Sequence, residues 1–82
     1  MDEEFVEHLR TNHCGPDEED NPSKQGIFFK NDLRGIIANV PNKDKLGDIT
    51  KCQICYRLKI PPPEELEDLY ILYEQSMRDN DL

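Results

Sequence analysis

Apolar positions come in short groups separated by polar stretches, and the spacing inside each group predicts an element. Phe5 and Leu9 stand one helical turn apart behind Asp2, Glu3 and Glu4. That is the pattern of a short helix with Asp2 as its N-cap, acids at its positive end and Arg10 at its negative one. Ile27, Phe28 and Phe29 form a brief apolar run over 27–30 that reads either as a short strand or as the lead-in to the next helix. Leu33, Ile36, Ile37 and Val40 recur at helical spacing, which predicts a helix from Asp32 to Asn39 capped by Asn31, weakened by Gly35 and stopped by Pro41.

Residues 49–60 carry two patterns. Cys52, Ile54, Tyr56, Leu58 and Ile60 alternate with Lys51, Gln53, Arg57 and Lys59, the period of a half-buried strand. Asp48 as N-cap, a run without Gly or Pro, and Cys55 out of phase with the alternation favour a helix, with Cys52 and Cys55 on one face. Pro61-Pro62-Pro63 ends that element as a stiff spacer. Beyond it, Leu66, Leu69, Tyr70, Tyr73 and Met77 form an amphipathic stripe, widened by Ile71 and Leu72, which predicts an acidic C-terminal helix over 64–78. The expected fold is therefore mainly α: three to four short helices with little or no β beyond 27–30. Residues 1–82 form one small domain, with a mobile acidic loop over 15–26 that has neither apolar period nor hydrophobic surface.

Composition changes this picture in one respect. With 35% hydrophobic and 34% charged residues in 82 positions, the core is small and an additional constraint such as a metal or a partner would complete its stability. The net charge of −8 is segregated. Residues 1–24 hold eight acids against two bases, residues 25–60 seven bases against three acids, and residues 61–82 seven acids against Arg78. Acidic ends lying near a basic centre is the plain reading; an acidic face offered to a basic partner is the functional one. No apolar run is long enough to span a bilayer and no secretory pattern opens the chain, so a cytoplasmic or nuclear location is expected, with reduced thiols.

Chemistry concentrates at Cys52-Gln53-Ile54-Cys55. Two thiolates at this spacing can face one tetrahedral ion, and His8, His13 and Cys14 are the donors available to complete it. His13 and Cys14 are adjacent and crowd each other, so the expected set is Cys14, Cys52 and Cys55 with His8 or His13 around one structural zinc ion. A cysteine pair in the first turn of a helix resembles one half of a treble-clef zinc finger, whose other Cys-x-x-Cys has no counterpart here, and no family follows from it. The same pair also reads as buried core thiols, as a redox nucleophile at Cys52, or as a disulfide. The redox reading lacks the strand-helix-strand setting it needs, and a disulfide does not suit a reducing compartment.

No phosphate loop, serine elbow or ordered carboxylate pair is present, so no enzyme and no small-molecule substrate is expected. The expected function is a zinc-stabilised adaptor or inhibitor whose acidic helix, through Glu64, Glu65, Glu67, Asp68, Tyr70 and Tyr73, meets a basic surface of a partner protein. Machinery that handles nucleic acid, such as transcription, is the expected partner class, and a short acidic chain also suits a viral protein that takes over its host. The alternative is a nucleic-acid-binding module built on the basic segment 43–59, which the acidic ends oppose. No membrane association is expected.

Overall fold

The structure is a computed structural model that describes residues 1–17 and 26–80. Helix α1 (Glu3–Thr11) starts where expected: Asp2 Oδ1 accepts the N–H of Phe5 at 3.2 Å, and Phe5, Val6 and Leu9 turn into the core. The chain then enters a short strand, β1 (Cys14–Pro16), through His13, whose φ of 66° turns the backbone sharply. Strands β2 (Gly26–Asn31) and β3 (Ile36–Pro41) complete a three-stranded antiparallel sheet in the order β1-β2-β3. Helix α2 (Asp48–Leu58), a single 3-10 turn (Glu64–Leu66) and helix α3 (Glu67–Asn80) follow.

The fold is thus α+β, which corrects the mainly α expectation. The error lies in residues 32–40. Asn31 does accept a local N–H with its side chain, from Leu33 at 3.0 Å, but the turn it opens closes at once. The Arg34 and Gly35 N–H groups both bond to the Asn31 carbonyl, and Gly35 takes the left-handed conformation at φ 71° that reverses the chain. Beyond it, Ile36, Ala38 and Val40 share one face of a strand and Phe29 pairs with Ala38 across the sheet. Leu33, counted in the helical stripe, sits at the tip of the turn with 73% of its surface exposed. Two registers matched the same apolar residues, and the glycine decided between them.

The run 27–30 belongs to a strand, with Phe29 buried and Phe28 half-buried. Of the loop expected over 15–26, Gly15 and Pro16 form part of β1 and Gly26 opens β2, while residues 18–25 lie outside the described residues. The helix over 49–60 is α2, although its N-cap is Gly47, and Asp48 is its first residue, placed against the positive end without a capping bond. It ends before the prolines. Lys59 adopts the left-handed conformation, its N–H bonds to the Tyr56 carbonyl and the Ile60 N–H to that of Cys55, the two-bond closure that satisfies the last carbonyls.

The helices bury a core of Phe5, Leu9, Phe29, Val40, Leu58 and Cys55 against the sheet. Asn31, itself buried, donates its Nδ2–H to the Leu58 carbonyl at 2.8 Å, which ties the β2–β3 turn to the end of α2. Complete burial of a Leu or Phe side chain contributes about 2 kcal/mol, so the apolar core outweighs any single polar contact.

Candidate functional site

Helix α3 has two faces with different roles. Leu69, Tyr70, Tyr73 and Met77 are half-buried, and the Tyr73 ring meets that of Tyr56 on α2 edge-on at a centroid distance of 5.6 Å. Tyr70 packs against the core, and its burial, with Glu74 beside it, pushes its hydroxyl pKa up. The two tyrosines expected to meet a partner therefore hold α3 onto the body of the protein. Leu66, on the preceding 3-10 turn, is buried with them.

The opposite face is exposed. Asp68, Ile71, Leu72, Gln75 and Asp79 follow one another at helical spacing and are all open to solvent, Ile71 with 48% and Leu72 with 63% of its surface exposed. An apolar pair thus stands between two aspartates. Sequence periodicity places Ile71 and Leu72 in the packing stripe, because the six apolar positions of α3 can be read as a single broad face. Only the docking of Tyr70 and Tyr73 on α2 separates the two.

Acids of α1 and of the 3-10 turn share a separate cleft. Glu64 and Glu65, both exposed, line a cleft together with Glu4 and Glu7 of α1, over Phe5 and Pro63. The two acidic ends of the chain therefore meet on the surface. His8 helps to hold them: its Nε2–H donates to the Pro61 carbonyl at 2.8 Å, and its ring stacks on Phe5.

The cysteines are placed differently. Cys52 and Cys55 lie on the inner face of α2 with no exposed surface, and Cys14 begins β1 with 2% exposed. Burial pushes the Cys55 thiol up to about 12, and the neighbouring Cys52 and Cys14 thiols add to the rise. Burial likewise raises Cys14 and Cys52, helped by Asp32 and Asp48 respectively. The structure thus gathers the three thiols in the core, all of them free. Of the histidines, His8 is bonded to the Pro61 carbonyl, and His13, next to Cys14 in the chain, is exposed on its turn. Among the described residues, no group of three or more His, Cys, Asp or Glu side chains is arranged to hold a metal ion.

No family model, no curated protein and no solved structure matches the chain.

The basic centre is partly engaged. Lys51 pairs with Asp2 at 3.6 Å, and the N-terminal ammonium with Asp44 at 3.8 Å. Arg57 donates its Nε–H to the Ile37 carbonyl at 3.3 Å. Lys45 lines a cleft with Glu3 and Glu4, and Lys43 is exposed. Among the described residues, no helix is long and apolar enough to cross a membrane.

Proposed function

We propose that this chain is a non-enzymatic adaptor or inhibitor that docks the outward face of α3 on a basic surface of a partner protein. The observation that carries this reading is the exposure of Ile71 and Leu72 between Asp68 and Asp79. Singly exposed apolar residues are ordinary, but an adjacent pair with Asp68 and Asp79 beyond its two ends, on a helix otherwise docked at its back, has the make-up of a contact surface; the exposed Arg78 at its flank is paired with Glu74. The acids steer a basic partner into encounter, and the apolar pair then contributes short-range affinity by leaving water. Glu64, Glu65 and Glu67 enlarge the acidic field on the approach to the helix.

Machinery that handles nucleic acid carries basic surfaces of this kind, and an acidic protein that covers one competes with the phosphate backbone for it. Transcription is the first place to look, in the cytoplasm or nucleus, where free cysteines stay reduced. The reading does not depend on a bound metal.

The test is kinetic. A partner captured by the intact chain should associate about tenfold more slowly with a variant carrying Glu64→Lys, Glu65→Lys, Glu67→Lys and Asp68→Lys, and the rate should lose most of its dependence on salt. Unchanged association by a variant that retains its helical signal would overturn the reading.

A further inference from the structure

A second surface has the complementary chemistry. Between β3, α2 and α3 runs an open groove of about 470 Å³ with Ile36, Tyr56, Tyr73 and Met77 along its floor and Arg57 and Lys59 at its rim. The floor residues are half-buried and the two bases exposed. The Arg57 Nε–H is held by the Ile37 carbonyl, which leaves the Nη donors for a carboxylate in bidentate geometry. Among the described residues, no ion pair engages Arg57 or Lys59, and Glu74, the acid nearest along α3, is bound to Arg78 at 2.9 Å.

We propose that this groove receives the outward face of α3 from a second copy of the chain. The groove offers apolar floor with two cations at its edge; the α3 face offers Ile71 and Leu72 with Asp68 and Asp79 on either side. Each feature supplies what the other lacks. Face-to-face pairing of two α3 helices is disfavoured, since it sets aspartate against aspartate in chains that each carry −8. The groove and the outward face occupy different sides of α3, so copies add head to tail unless two of them exchange the contact reciprocally or the rotation closes a larger ring. One helix face against one groove makes a small interface, and the association is weak, with a dissociation constant on the order of 100 μM. Self-association covers the same residues that the proposed partner would use, so the two compete.

Salt is a poor probe here, because it screens both the local attraction and the repulsion between whole chains. Charge exchange separates them. Sedimentation velocity of the full chain should show a mass that rises above the 9.6 kDa monomer as concentration increases towards about 1 mM. Arg57→Glu with Lys59→Glu should hold the chain monomeric, as should Asp68→Lys with Asp79→Lys, both at unchanged circular dichroism. Mixing the two variants should restore association, because each then presents a surface opposite to one on the other. A wild-type chain that stays monomeric throughout, or variants that associate alone, or a mixture that does not, would overturn the proposal. The groove variant keeps the α3 face intact and should still bind the captured partner. Loss of that binding together with self-association would contradict the assignment of separate roles to the two surfaces.

Discussion

Both oxygens of Asp2 are engaged. Oδ1 accepts the Phe5 N–H; Oδ2 accepts the Leu46 N–H at 2.9 Å and faces the Lys51 ammonium. Burial alone would raise this carboxyl, but the two N–H groups and Lys51 more than offset it and hold its pKa below the ordinary 3.8. A depressed carboxyl stabilises the fold above its unfolded pKa, and that contribution disappears as pH falls through the folded value. Asp2→Asn should therefore flatten the acid limb of a urea-midpoint profile below about pH 4, and Asp2→Ala should cost about 2 kcal/mol at neutral pH. An acid limb identical to wild type would show that Asp2 is not the titrating group. Cys55 works in the opposite sense. Its raised thiol favours the fold while protonated, so stability should hold up to the ordinary value of 9.0 and decline as pH rises towards 12. Cys55→Ser, which leaves a hydroxyl in the apolar core, should lose about 2 kcal/mol and soften that alkaline limb. Thermal melts across pH 7–11 measure both. The same variant series decides the metal question: core thiols predict an unfolding midpoint unmoved by a chelator, whereas a structural zinc predicts its collapse and a metal mass lost in native mass spectrometry.

Elements differ in how far the sequence reveals them, and the difference has a physical cause. Helix α1 is legible because its cap, charges and apolar spacing agree, the C-terminal helix because its N-terminal acids and apolar spacing agree, and α2 because Cys55 breaks the strand period. The hairpin was not, because Leu33, Ile36, Ile37 and Val40 satisfy a helical spacing by coincidence while the strand that makes β3 possible lies across the turn in β2. Strand pairing is a long-range fact, and β1 depends on it entirely: Cys14, Gly15 and Pro16 carry no strand signal and are ordered by Asn31, Lys30 and Phe29 opposite. Gly35, a weakness in any helix, is the residue that makes the turn. A Cβ there meets no atom within 4 Å, so Gly35→Ala tests the backbone conformation alone. It should destabilise by about 1 kcal/mol in urea titration, and a stabilised protein would contradict the left-handed turn. The candidate site was half legible: the acids of residues 64–68 were plain, whereas the exposure of Ile71 and Leu72 follows from which side of α3 the Tyr56–Tyr73 contact takes.

At the scale of the molecule, charge and apolar surface are sorted together. The acidic ends converge around Glu4, Glu7, Glu64 and Glu65, with Lys51 in the same cleft, and the outward face of α3 carries an apolar pair between two aspartates. Arg57 and Lys59 flank a separate groove. The fold thus keeps an exposed acidic face and a groove with basic edges apart on a body held by a small core, in which Cys14, Cys52 and Cys55 are buried. The claim that joins these features is that the α3 face is the contact surface. Its most direct measurement is the affinity of the captured partner for Ile71→Ser with Leu72→Ser, two exposed positions whose change leaves the core untouched. The account predicts binding at least about tenfold weaker at unchanged thermal stability; equal affinity, with binding lost instead on Lys43→Glu and Lys45→Glu, would contradict it.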